Sequence, residues 1–456
     1  MNINPDIFKA YDIRGIYEKD FGDYFAYQLG LAYIALRHDD SDLVSKKMQI
    51  VVGSDMRLSS PSLKKALIEG LIAGGANVID IGLCSTPTFY FAVANFSYDG
   101  GIMISASHNP SKWNGFKMVR SKAVPISGDT GMEFLKTRIL AGDLKESSSP
   151  GTIIERYNVL SEQVKHDLQM ADLSKIKPLK IVADTANGMG GQYLEALFHY
   201  LPCELIKMNF TLDGSFPVHE ADPIKPENVA DLSKMVISEQ ADLGIAVDGD
   251  GDRVFFIDNQ GKVIDQSIIR GILAKLFLAD NPGAKIGYDV RPGKITVDLI
   301  VKYGGIPMMT RVGHSLIKEQ MLKEGAYFAG ESSGHFFLNM EMGCFEVPMV
   351  IILKLLMEFS DSNKGVSEQI EPYQKYFNSG EINSNVKNKD RIFKLLEEKY
   401  GDAKIDKLDG ITITYPDWWF NVRASNTENK MRLNLEAIRQ ALMEEKRDEV
   451  LAIINS

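Results

Sequence analysis

The sequence predicts an α/β fold class: three similar α/β domains with mixed, mainly parallel sheets, followed by a C-terminal α+β domain. Three segments share one order, in which an apolar strand ends at Asp and is followed by a polar turn, an amphipathic helix, a second strand and, later, a strand ending in a polar motif. Strands that alternate with helices are typical of mainly parallel sheets, and their repetition indicates repeated units. A chain of 456 residues has room for about three or four domains. We place them at 1–150, 151–256, 257–368 and 369–456.

The first copy runs from MQIVVGSDMR to GGIMISASHNP. Its helix, in PSLKKALIEGLIAGG, has signals at both ends. Ser60 is a favourable cap, Pro61 suits the first helical position, and Gly74 and Gly75 suit the end of the helix. The strand NVIDIGL follows, so this segment predicts a complete strand–helix–strand unit.

The second copy begins at LKIVADTANGMGG and finishes with ADLGIAVDGDGDR, and the third begins at AKIGYDVRPG and ends at AYFAGESSGH. In folds of this kind, ligands bind where the strand ends open into loops. All three polar motifs, SASHNP, DGDGDR and GESSGH, lie at such strand ends.

The pattern changes after about Asn363. A helical segment around Arg391 to Tyr400 precedes ITITYP, WWFNVRAS and KMRLNLEAI, which read as strands. In the last of these, apolar and polar residues alternate, which predicts a half-buried strand. The C-terminal region is therefore expected to be the α+β domain.

The composition is that of an ordinary globular protein, 45% hydrophobic and 25% charged, with a formal net charge of −10. This balance disfavours nucleic acid and anionic membranes, and an anionic substrate would need a local cluster of Arg and Lys. The longest nearly apolar stretch, Val347 to Phe359, is shorter than the roughly 20 residues that a bilayer needs and predicts a buried helix. Cys84, Cys203 and Cys344 lie in separate apolar stretches, as free thiols do in a reducing compartment. Because the N-terminus also lacks a signal-peptide pattern, we expect a cytoplasmic protein with neither nucleic acid nor membrane as partner.

The motif DGDGDR follows the apolar run LGIAV and places Asp248, Asp250 and Asp252 at alternate positions in a glycine-rich turn. Such a turn can bring three hard oxygen ligands to one Mg²⁺ and leave positions for phosphate oxygens, which Arg253 would also face. A calcium-binding EF-hand loop shows the same alternation, but its sixth position is Arg253 here and its twelfth is Asn259. A solvated acidic turn is the simpler alternative. The regular spacing favours the Mg²⁺ site.

The motif SASHNP follows the strand GGIMI and exposes a hydroxyl at a strand end, so Ser107 is the candidate nucleophile. The sequence shows neither a Gly-x-Ser-x-Gly elbow nor a Ser/His/Asp order, which leaves acyl transfer unsupported. Phosphoryl transfer fits better, because it depends on positioning and charge neutralisation by a cation and by Arg or Lys. A simple turn or helix cap is the alternative for this motif.

Two cationic residues lie near these motifs in the sequence. Lys117, in NGFK, could act as an acid/base group or charge partner beside Ser107, and Arg14, in FKAYDIRG, is a second candidate. Most lysines and arginines are solvated surface residues, so these interpretations depend on proximity to the serine.

The third strand-end motif, GESSGH, supplies a carboxylate and a hydroxyl suited to neighbouring sugar hydroxyls, in Glu331 and Ser333, with His335 beside them. Taken singly, His335 and His314 are more often structural than catalytic.

Between the two last strands, RASNT supplies a guanidinium, two hydroxyls, an amide and turn N–H groups, which suit a phosphate. A polar hairpin loop is the alternative. The segment GYDVRPGK only superficially resembles a P-loop, because its glycines are one residue too far apart, so ATP binding is not indicated.

Together the motifs resemble the α-D-phosphohexomutase family, most closely its phosphomannomutase/phosphoglucomutase group. The resemblance spans essentially the whole chain and rests on FKAYDIRG, ISASHNP with NGFK, DGDGDR, GHS with GESSGH, and RASNT, in the family's order. It implies four domains arranged around a central cleft, a phosphoserine at Ser107, and Mg²⁺ bound by Ser107, Asp248, Asp250 and Asp252. It further implies catalytic roles for Arg14, Lys117, Arg253 and His335, and substrate-binding roles for Tyr11, His314, Glu331, Ser333, Arg423, Ser425, Asn426 and Thr427.

The mechanism implied by this resemblance interconverts hexose 1-phosphate and hexose 6-phosphate. Phosphoserine 107 would donate its phosphoryl group to a hexose monophosphate, and the resulting hexose 1,6-bisphosphate, which is also the expected activator, would return its other phosphate. Mannose and glucose differ in configuration at C2. Contacts to the 3- and 4-hydroxyls do not distinguish them, so we expect the protein to act on both sugars. Phosphoglucosamine mutases tend to carry NGIK, whereas Phe116 stands in NGFK, which argues against glucosamine.

Three features depart from the family's pattern: Asn429 replaces an expected Pro, Arg291 replaces a common Lys, and Cys344-Phe345-Glu346 replaces an acidic segment. Two other functions stay open, a non-catalytic phosphosugar sensor and a Mg²⁺-dependent phosphatase. The intact serine, lysine and aspartates argue against the sensor. We expect a monomer or weak homo-oligomer.

Overall fold

A computed structural model describes residues 3–38, 40, 43, 47–291, 293–424 and 430–456. The chain divides into two compact units. The first combines residues up to 264 with 335–367, and the second combines 265–334 with the residues from 368 onward.

The first unit begins with a six-stranded sheet. Its strands are β1 (Ile13–Ile16), β2 (Gln49–Ser54), β3 (Asn77–Leu83), β4 (Gly100–Ile104), β5 (Trp113–Arg120) and β6 (Ile153–Glu155). The order is β1-β5-β4-β2-β3-β6, in which β4, β2, β3 and β6 run parallel while β1, β5 and β4 pair antiparallel. This mixed sheet carries the SASHNP loop at the end of β4 and Lys117 on the neighbouring β5.

Four α-helices pack with this sheet: α1 (Asp23–His38), α2 (Ser60–Ala73), α3 (Thr86–Asn95) and α4 (Glu133–Ala141). Helix α2 ends as predicted, with Gly74 at its C-cap. The predicted cap at its start was wrong. Ser60 is already helical, Ser59 occupies the N-cap position without a side-chain capping bond, and the Ser60 hydroxyl donates to Asp55 Oδ1 (2.7 Å).

A four-stranded sheet follows in the same unit, with β7 (Lys180–Asp184), β8 (Glu204–Met208), β9 (Leu243–Val247) and β10 (Val254–Asp258). Its order is β10-β9-β7-β8; the last three strands are parallel, and β10 pairs antiparallel with β9. The helices of this region are α5 (Val159–Leu168), α6 (Gly190–Phe198) and α7 (Pro226–Ser238). The tight β9–β10 connection is the DGDGDR turn.

The second unit begins with α8 (Gln266–Asp280). The third copy follows, with β11 (Lys285–Asp289), α9 (Lys294–Lys302), β12 (Ile306–Thr310), α10 (His314–Glu324) and β13 (Phe328–Gly330). Strand β11 pairs in parallel with both β12 and β13.

The chain then returns to the first unit with an antiparallel hairpin, β14 (Phe336–Met340) and β15 (Gly343–Glu346), and helix α11 (Pro348–Ser360). Helix α11 is the apolar stretch predicted to be buried, and even its Lys354 is only 8% exposed. Among the described residues, no helix is both long and apolar enough to cross a membrane. Helix α12 (Val366–Ile370) leads back to the second unit.

The C-terminal part of the second unit is an antiparallel sheet, as the α+β prediction requires. Its elements are β16 (Phe377–Asn378), β17 (Ile382–Asn385), α13 (Lys389–Lys399), β18 (Lys404–Asp406), β19 (Ile411–Thr414), β20 (Trp418–Ala424), β21 (Lys430–Ala437) and α14 (Gln440–Ile454). The order is β16-β21-β20-β19-β18, and β17 also pairs with β21. Strand β21 is more buried than its alternation predicts, because Asn434 and Glu436 are buried along with the apolar residues.

Short 3-10 helices cover Pro5–Ile7, Ser121–Ala123, Leu173–Lys175 and Glu371–Tyr373, and a π-helical segment covers Gly128–Met132.

The three copies share one turn at the end of their first strand, where an Asp Oδ1 accepts the backbone N–H of the residue two positions on. The pairs are Asp55 with Arg57 (3.0 Å), Asp184 with Ala186 (2.9 Å) and Asp289 with Arg291 (3.0 Å). The first and third copies place an arginine at this position, and the second places an alanine.

Candidate active site

The three aspartates of the DGDGDR turn lie together. Asp248, Asp250 and Asp252 are at most 2% exposed, and one carboxylate oxygen of each lies within 4.8 Å of the others. Asp248 Oδ1 accepts the backbone N–H groups of Asp252 (3.1 Å) and Arg253 (3.2 Å), which closes the turn. Gly251 has φ +79°, a conformation that favours glycine. The sequence therefore folds the carboxylates inward.

Burial and like charge act on this cluster. Burial, together with Asp252 and Asp250, raises the pKa of Asp248 well above its ordinary value. Burial also opposes ionisation of Asp252, but Lys117 and His335 hold the pKa of that carboxyl well below its ordinary value. The cluster thus needs positive charge to hold its carboxylates ionised.

The donor set fits a hard divalent cation. Asp250 Oδ1 is buried and accepts no hydrogen bond from the part of the chain that the structure describes. An unsatisfied buried carboxylate oxygen is costly, and oxygen ligands are those that Mg²⁺ prefers. The three carboxylates could therefore hold a metal ion.

Ser107 lies against this cluster, in the loop between β4 and β5. Its Oγ donates to Asp248 Oδ2 (2.8 Å), and its backbone N–H donates to Ser105 Oγ (2.9 Å). Ser107 has φ +51°, a left-handed conformation that costs a non-glycine residue about 1–3 kcal/mol. A Cβ at Gly249 would lie 2.6 Å from Ser107 O, so the glycine permits the close approach of the two loops. The hydroxyl of a strained serine is thereby held at the carboxylates.

Lys117 joins the serine loop to the aspartates. Its Nζ lies 2.7 Å from Asp250 Oδ2 and 2.5 Å from Asp252 Oδ2, and the lysine is 3% exposed. Burial disfavours the ammonium, but Asp250 and Asp252 raise the pKa of Lys117 well above its ordinary value. The antiparallel pairing of β4 with β5 places this ammonium beside the serine loop.

Arg14 reaches the same loop from β1. Its Nη1 donates to Asn109 Oδ1 (2.7 Å), and its Nε donates to Asp12 Oδ2 (2.6 Å). Burial works against the charge, yet Asp12 raises the pKa of Arg14. Tyr11, half-buried, lies just before β1 and near the guanidinium of Arg14.

Arg253 and His335 complete the cluster of predicted residues in the first unit. His335 Nε2 lies 3.2 Å from Asp252 Oδ1 and 3.4 Å from Arg253 Nε. Arg253 Nε is 3.8 Å from Asp248 Oδ2. One oxygen of buried Glu346, on β15, also lies within 4.8 Å of ligand atoms of Asp252 and His335. Carboxylate, imidazole and guanidinium therefore meet beside the aspartate turn.

In the second unit, the GESSGH loop forms a polar cluster of its own. Ser333 Oγ donates to Glu331 Oε2 (2.7 Å), and Glu331 Oε1 accepts from the backbone N–H of Gly313 (3.0 Å) and from Arg291 Nη2 (3.2 Å). His314 is buried at the start of α10, directly after Gly313. Glu331 and Ser333 therefore form one polar pair, and His314 follows the residue that donates to Glu331.

Arg423, at the end of β20, donates from Nη2 to Glu381 Oε2 (2.9 Å) and is 8% exposed. Ser425, Asn426 and Thr427 lie outside the described residues.

The sequence reasoning missed several residues that shape the serine site. Thr86 Oγ1 donates to Asp250 Oδ2 (2.6 Å), and Ser105 Oγ donates to the same oxygen (3.2 Å). Arg57 donates to backbone carbonyls of the serine loop, including Ser107 O (2.7 Å). A signal for Arg57 was present, since it follows Asp55 at a strand end on the same edge of the sheet as Ser107.

Comparisons with known proteins match this chain to one family along nearly its whole length. The sequence matches phosphoglucomutase/phosphomannomutase alpha/beta/alpha domains I, II and III over residues 5–144, 159–261 and 265–376, and the C-terminal domain of that family over 381–453. A phosphomannomutase from Escherichia coli is 39% identical over 461 residues, covering 98% of each chain. A phosphomannomutase from Methanocaldococcus jannaschii is 37% identical over 453 residues, covering 98% of this chain and 97% of the relative.

Among solved structures, a phosphoglucomutase/phosphomannomutase family protein from Burkholderia thailandensis matches with a TM-score of 0.89 at 32% identity. The match covers 99% of this chain and 97% of that one.

Proposed function

The chain belongs to the phosphoglucomutase/phosphomannomutase family of phosphohexomutases, and we propose that it interconverts hexose 1-phosphate and hexose 6-phosphate through a phosphoserine at Ser107. The observation that carries this proposal is the 2.8 Å hydrogen bond from Ser107 Oγ to Asp248, within a buried cluster of three carboxylates and Lys117. A serine held in this way can carry a phosphoryl group whose charge the surrounding cations neutralise.

The carboxylates of Asp248, Asp250 and Asp252, with the oxygen of Ser107, would hold Mg²⁺. When bound, Mg²⁺ would neutralise charge on the phosphoryl oxygens and polarise them. The unsatisfied Asp250 Oδ1 supports this assignment.

The chain's own cations would stabilise the transferring group. Lys117 and Arg14 lie at the serine loop, and Arg253 lies at the aspartate turn, so three positive charges converge around Ser107. His335 contacts both Asp252 and Arg253 and would hold them in position. Such preorganised charge is a large part of catalysis in phosphoryl transfer.

In the first half-reaction, a hydroxyl oxygen of the hexose monophosphate forms a bond to the phosphorus of phosphoserine 107, and the bond from phosphorus to Ser107 Oγ breaks. The hydroxyl proton leaves to a base, and the product is a hexose 1,6-bisphosphate. In the second half, Ser107 Oγ forms a bond to the phosphorus of the other phosphate, the bond from that phosphorus to the sugar oxygen breaks, the sugar oxygen takes up a proton, and the isomeric monophosphate leaves. Added hexose 1,6-bisphosphate would keep the enzyme phosphorylated and so act as an activator.

Sugar recognition is assigned to Glu331 and Ser333, with His314 beside them. The hydrogen bond between Ser333 and Glu331 arranges a hydroxyl and a carboxylate as neighbouring partners for adjacent sugar hydroxyls. Arg423, together with Ser425, Asn426 and Thr427, would bind the phosphate that does not react, and Tyr11 would contribute to substrate binding near Arg14. Several relatives are named phosphomannomutase, and we propose mannose and glucose phosphates as substrates.

The test is turnover of mannose 1-phosphate and of glucose 1-phosphate with Mg²⁺ and a trace of glucose 1,6-bisphosphate, followed by ³¹P NMR. Conversion to the 6-phosphates should be lost in Ser107→Ala and retained in Ser161→Ala, which removes an exposed hydroxyl on α5. Release of inorganic phosphate alone would identify a phosphatase and contradict the proposal. Binding of both sugars with no turnover would identify a sensor.

A further inference from the structure

Arg57 binds the backbone of the serine loop, and every N–H donor of its guanidinium is used in hydrogen bonds. It is 1% exposed and lies between β2 and α2. Nη2 donates to Ser107 O (2.7 Å) and Asn109 O (2.6 Å), and Nη1 donates to Pro110 O and Trp113 O (2.9 Å each). Nε donates to Asp55 Oδ2 (3.2 Å). Because a guanidinium has five N–H donors, every donor is used inside the protein.

The loop that Arg57 holds contains a residue in a strained backbone conformation. Ser107 has φ +51°, and its own carbonyl is one of the four that Arg57 binds. The same carbonyl oxygen is the atom that a Cβ at Gly249 would meet at 2.6 Å. A shift of this carbonyl would therefore change both the backbone of Ser107 and its distance from the aspartate turn.

Arg57 is itself held in place by contacts with Phe216, Gly214 and Asp55. Its Cζ lies 5.0 Å from the centre of the Phe216 ring, and Gly214 packs so closely that a Cβ there would lie 2.7 Å from Arg57 Cα. Asp55, fully buried, supplies the balancing charge. The guanidinium thus lies between a carboxylate, an aromatic ring and the serine loop.

The repeats within the chain show that this arrangement is specific to the serine site. All three copies have the Asp turn, but in the second copy the position of Arg57 is taken by Ala186. In the third copy Arg291 occupies it, and within the described residues its guanidinium donates to two carboxylates, those of Asp289 and Glu331. The turn therefore does not itself require an arginine, and the first copy uses one for its loop.

We propose that Arg57 is a positioning residue for phosphoryl transfer, which fixes the strained backbone of Ser107 so that Oγ faces the aspartates and the incoming phosphate. This inference rests on the proposed function of Ser107. Arg57 is buried and all its donors are used within the protein, so we expect it to act without contacting substrate, and its loss should lower kcat and leave KM nearly unchanged.

The test compares Arg57→Lys with a matched control, Arg37→Lys. Lysine keeps the charge but cannot bond four carbonyls and Asp55 at once. Arg37 is another fully buried arginine of this unit, at the end of α1, and it contacts Asp40 and Asp99 O. We expect R57K to lose roughly 100-fold in kcat, as displacements of about 1 Å can cause, with KM within threefold. The rate at which glucose 1,6-bisphosphate phosphorylates Ser107, followed by intact-protein mass spectrometry, should fall by the same factor.

Activity is expressed per mole of folded protein, from thermal unfolding curves. R37K should lower the melting temperature by about as much as R57K does, but it should keep kcat within twofold of wild type. If R57K folds with kcat within threefold of wild type, or if the control loses as much activity, the positioning role is wrong.

A milder variant covers the case in which R57K does not fold. Phe216→Leu removes the ring beside the guanidinium and should lower kcat about three- to tenfold at constant KM. Unchanged kcat in a folded F216L would also overturn the proposal. Failure of the proposed function is distinguishable, because wild type would then give no isomerisation, or S107A would retain it.

Discussion

Replacing Lys117 with Met in metal-free protein removes the ammonium that lies 2.7 Å from Asp250 and 2.5 Å from Asp252. All three side chains are at most 3% exposed, so water cannot replace the lost charge. Breaking a buried ion pair by removing one partner costs about 3–5 kcal/mol. Since 1 kcal/mol corresponds to about 2–4 °C in domains of 150–250 residues, the melting temperature should fall by at least roughly 6 °C.

Mg²⁺ should reverse much of this loss. In K117M the divalent ion would be the main positive charge among the carboxylates, so saturating Mg²⁺ should raise the melting temperature more in the variant than in wild type. The measurement is thermal unfolding by circular dichroism, in EDTA and in Mg²⁺. Lys64→Met is the control, because Lys64 pairs with Asp80, away from the aspartate turn, and both are partly exposed. An equal Mg²⁺ effect in K117M and wild type, or no loss in EDTA, would refute the reasoning.

Three further predictions follow from single contacts. Gly249→Ala should lower kcat at least tenfold in the mutase assay, because its Cβ would press on Ser107 O at 2.6 Å; unchanged kcat would show that the two loops are not tightly coupled. Burial raises the pKa of Glu436 from 4.5 to about 7, so the native state binds the carboxyl proton more tightly than the unfolded state does. The free energy of unfolding of wild type therefore falls as pH rises from about 4.5 to about 7. Glu436→Gln should therefore be more stable than wild type by about 2–3 kcal/mol in urea unfolding at about pH 8 and nearly equal at about pH 4.5, and a constant difference would contradict this. Arg423→Lys should raise KM about tenfold with little change in kcat, because lysine lacks the fork that binds phosphate, and an unchanged KM would remove Arg423 from the substrate site.

The sequence reasoning succeeded where neighbours along the chain determine the geometry. The fold class and the family are confirmed, and the DGDGDR turn folds its alternate carboxylates inward because β9 and β10 are joined by a tight connection. The roles of the individual site residues and the four domain boundaries stay predictions.

Contacts that depend on strand order could not be read from the sequence. Lys117 meets Asp250 because β5 pairs with β4 and two sheets come together, and neither fact is encoded in NGFK itself. The prediction for Ser60 failed because of another contact that the local sequence does not show. Serine is a good capping residue, but here its hydroxyl donates to the carboxylate of Asp55. The position of Arg57 after Asp55 at a strand end was a signal, but its role was missed because its loop partners are backbone carbonyls, which any residue type supplies.

The central claim, that Ser107 carries the transferred phosphoryl group, is tested most directly by following that group in a single turnover. The protein is incubated with ³²P-labelled glucose 1,6-bisphosphate, freed of sugar, and mapped by peptide analysis before and after addition of excess unlabelled mannose 1-phosphate. We predict one labelled phosphate on Ser107, which passes to the mannose phosphates as mannose 6-phosphate forms. Turnover in the mutase assay with no phosphate on Ser107, or a label that stays on Ser107 while mannose 6-phosphate forms, would contradict the account.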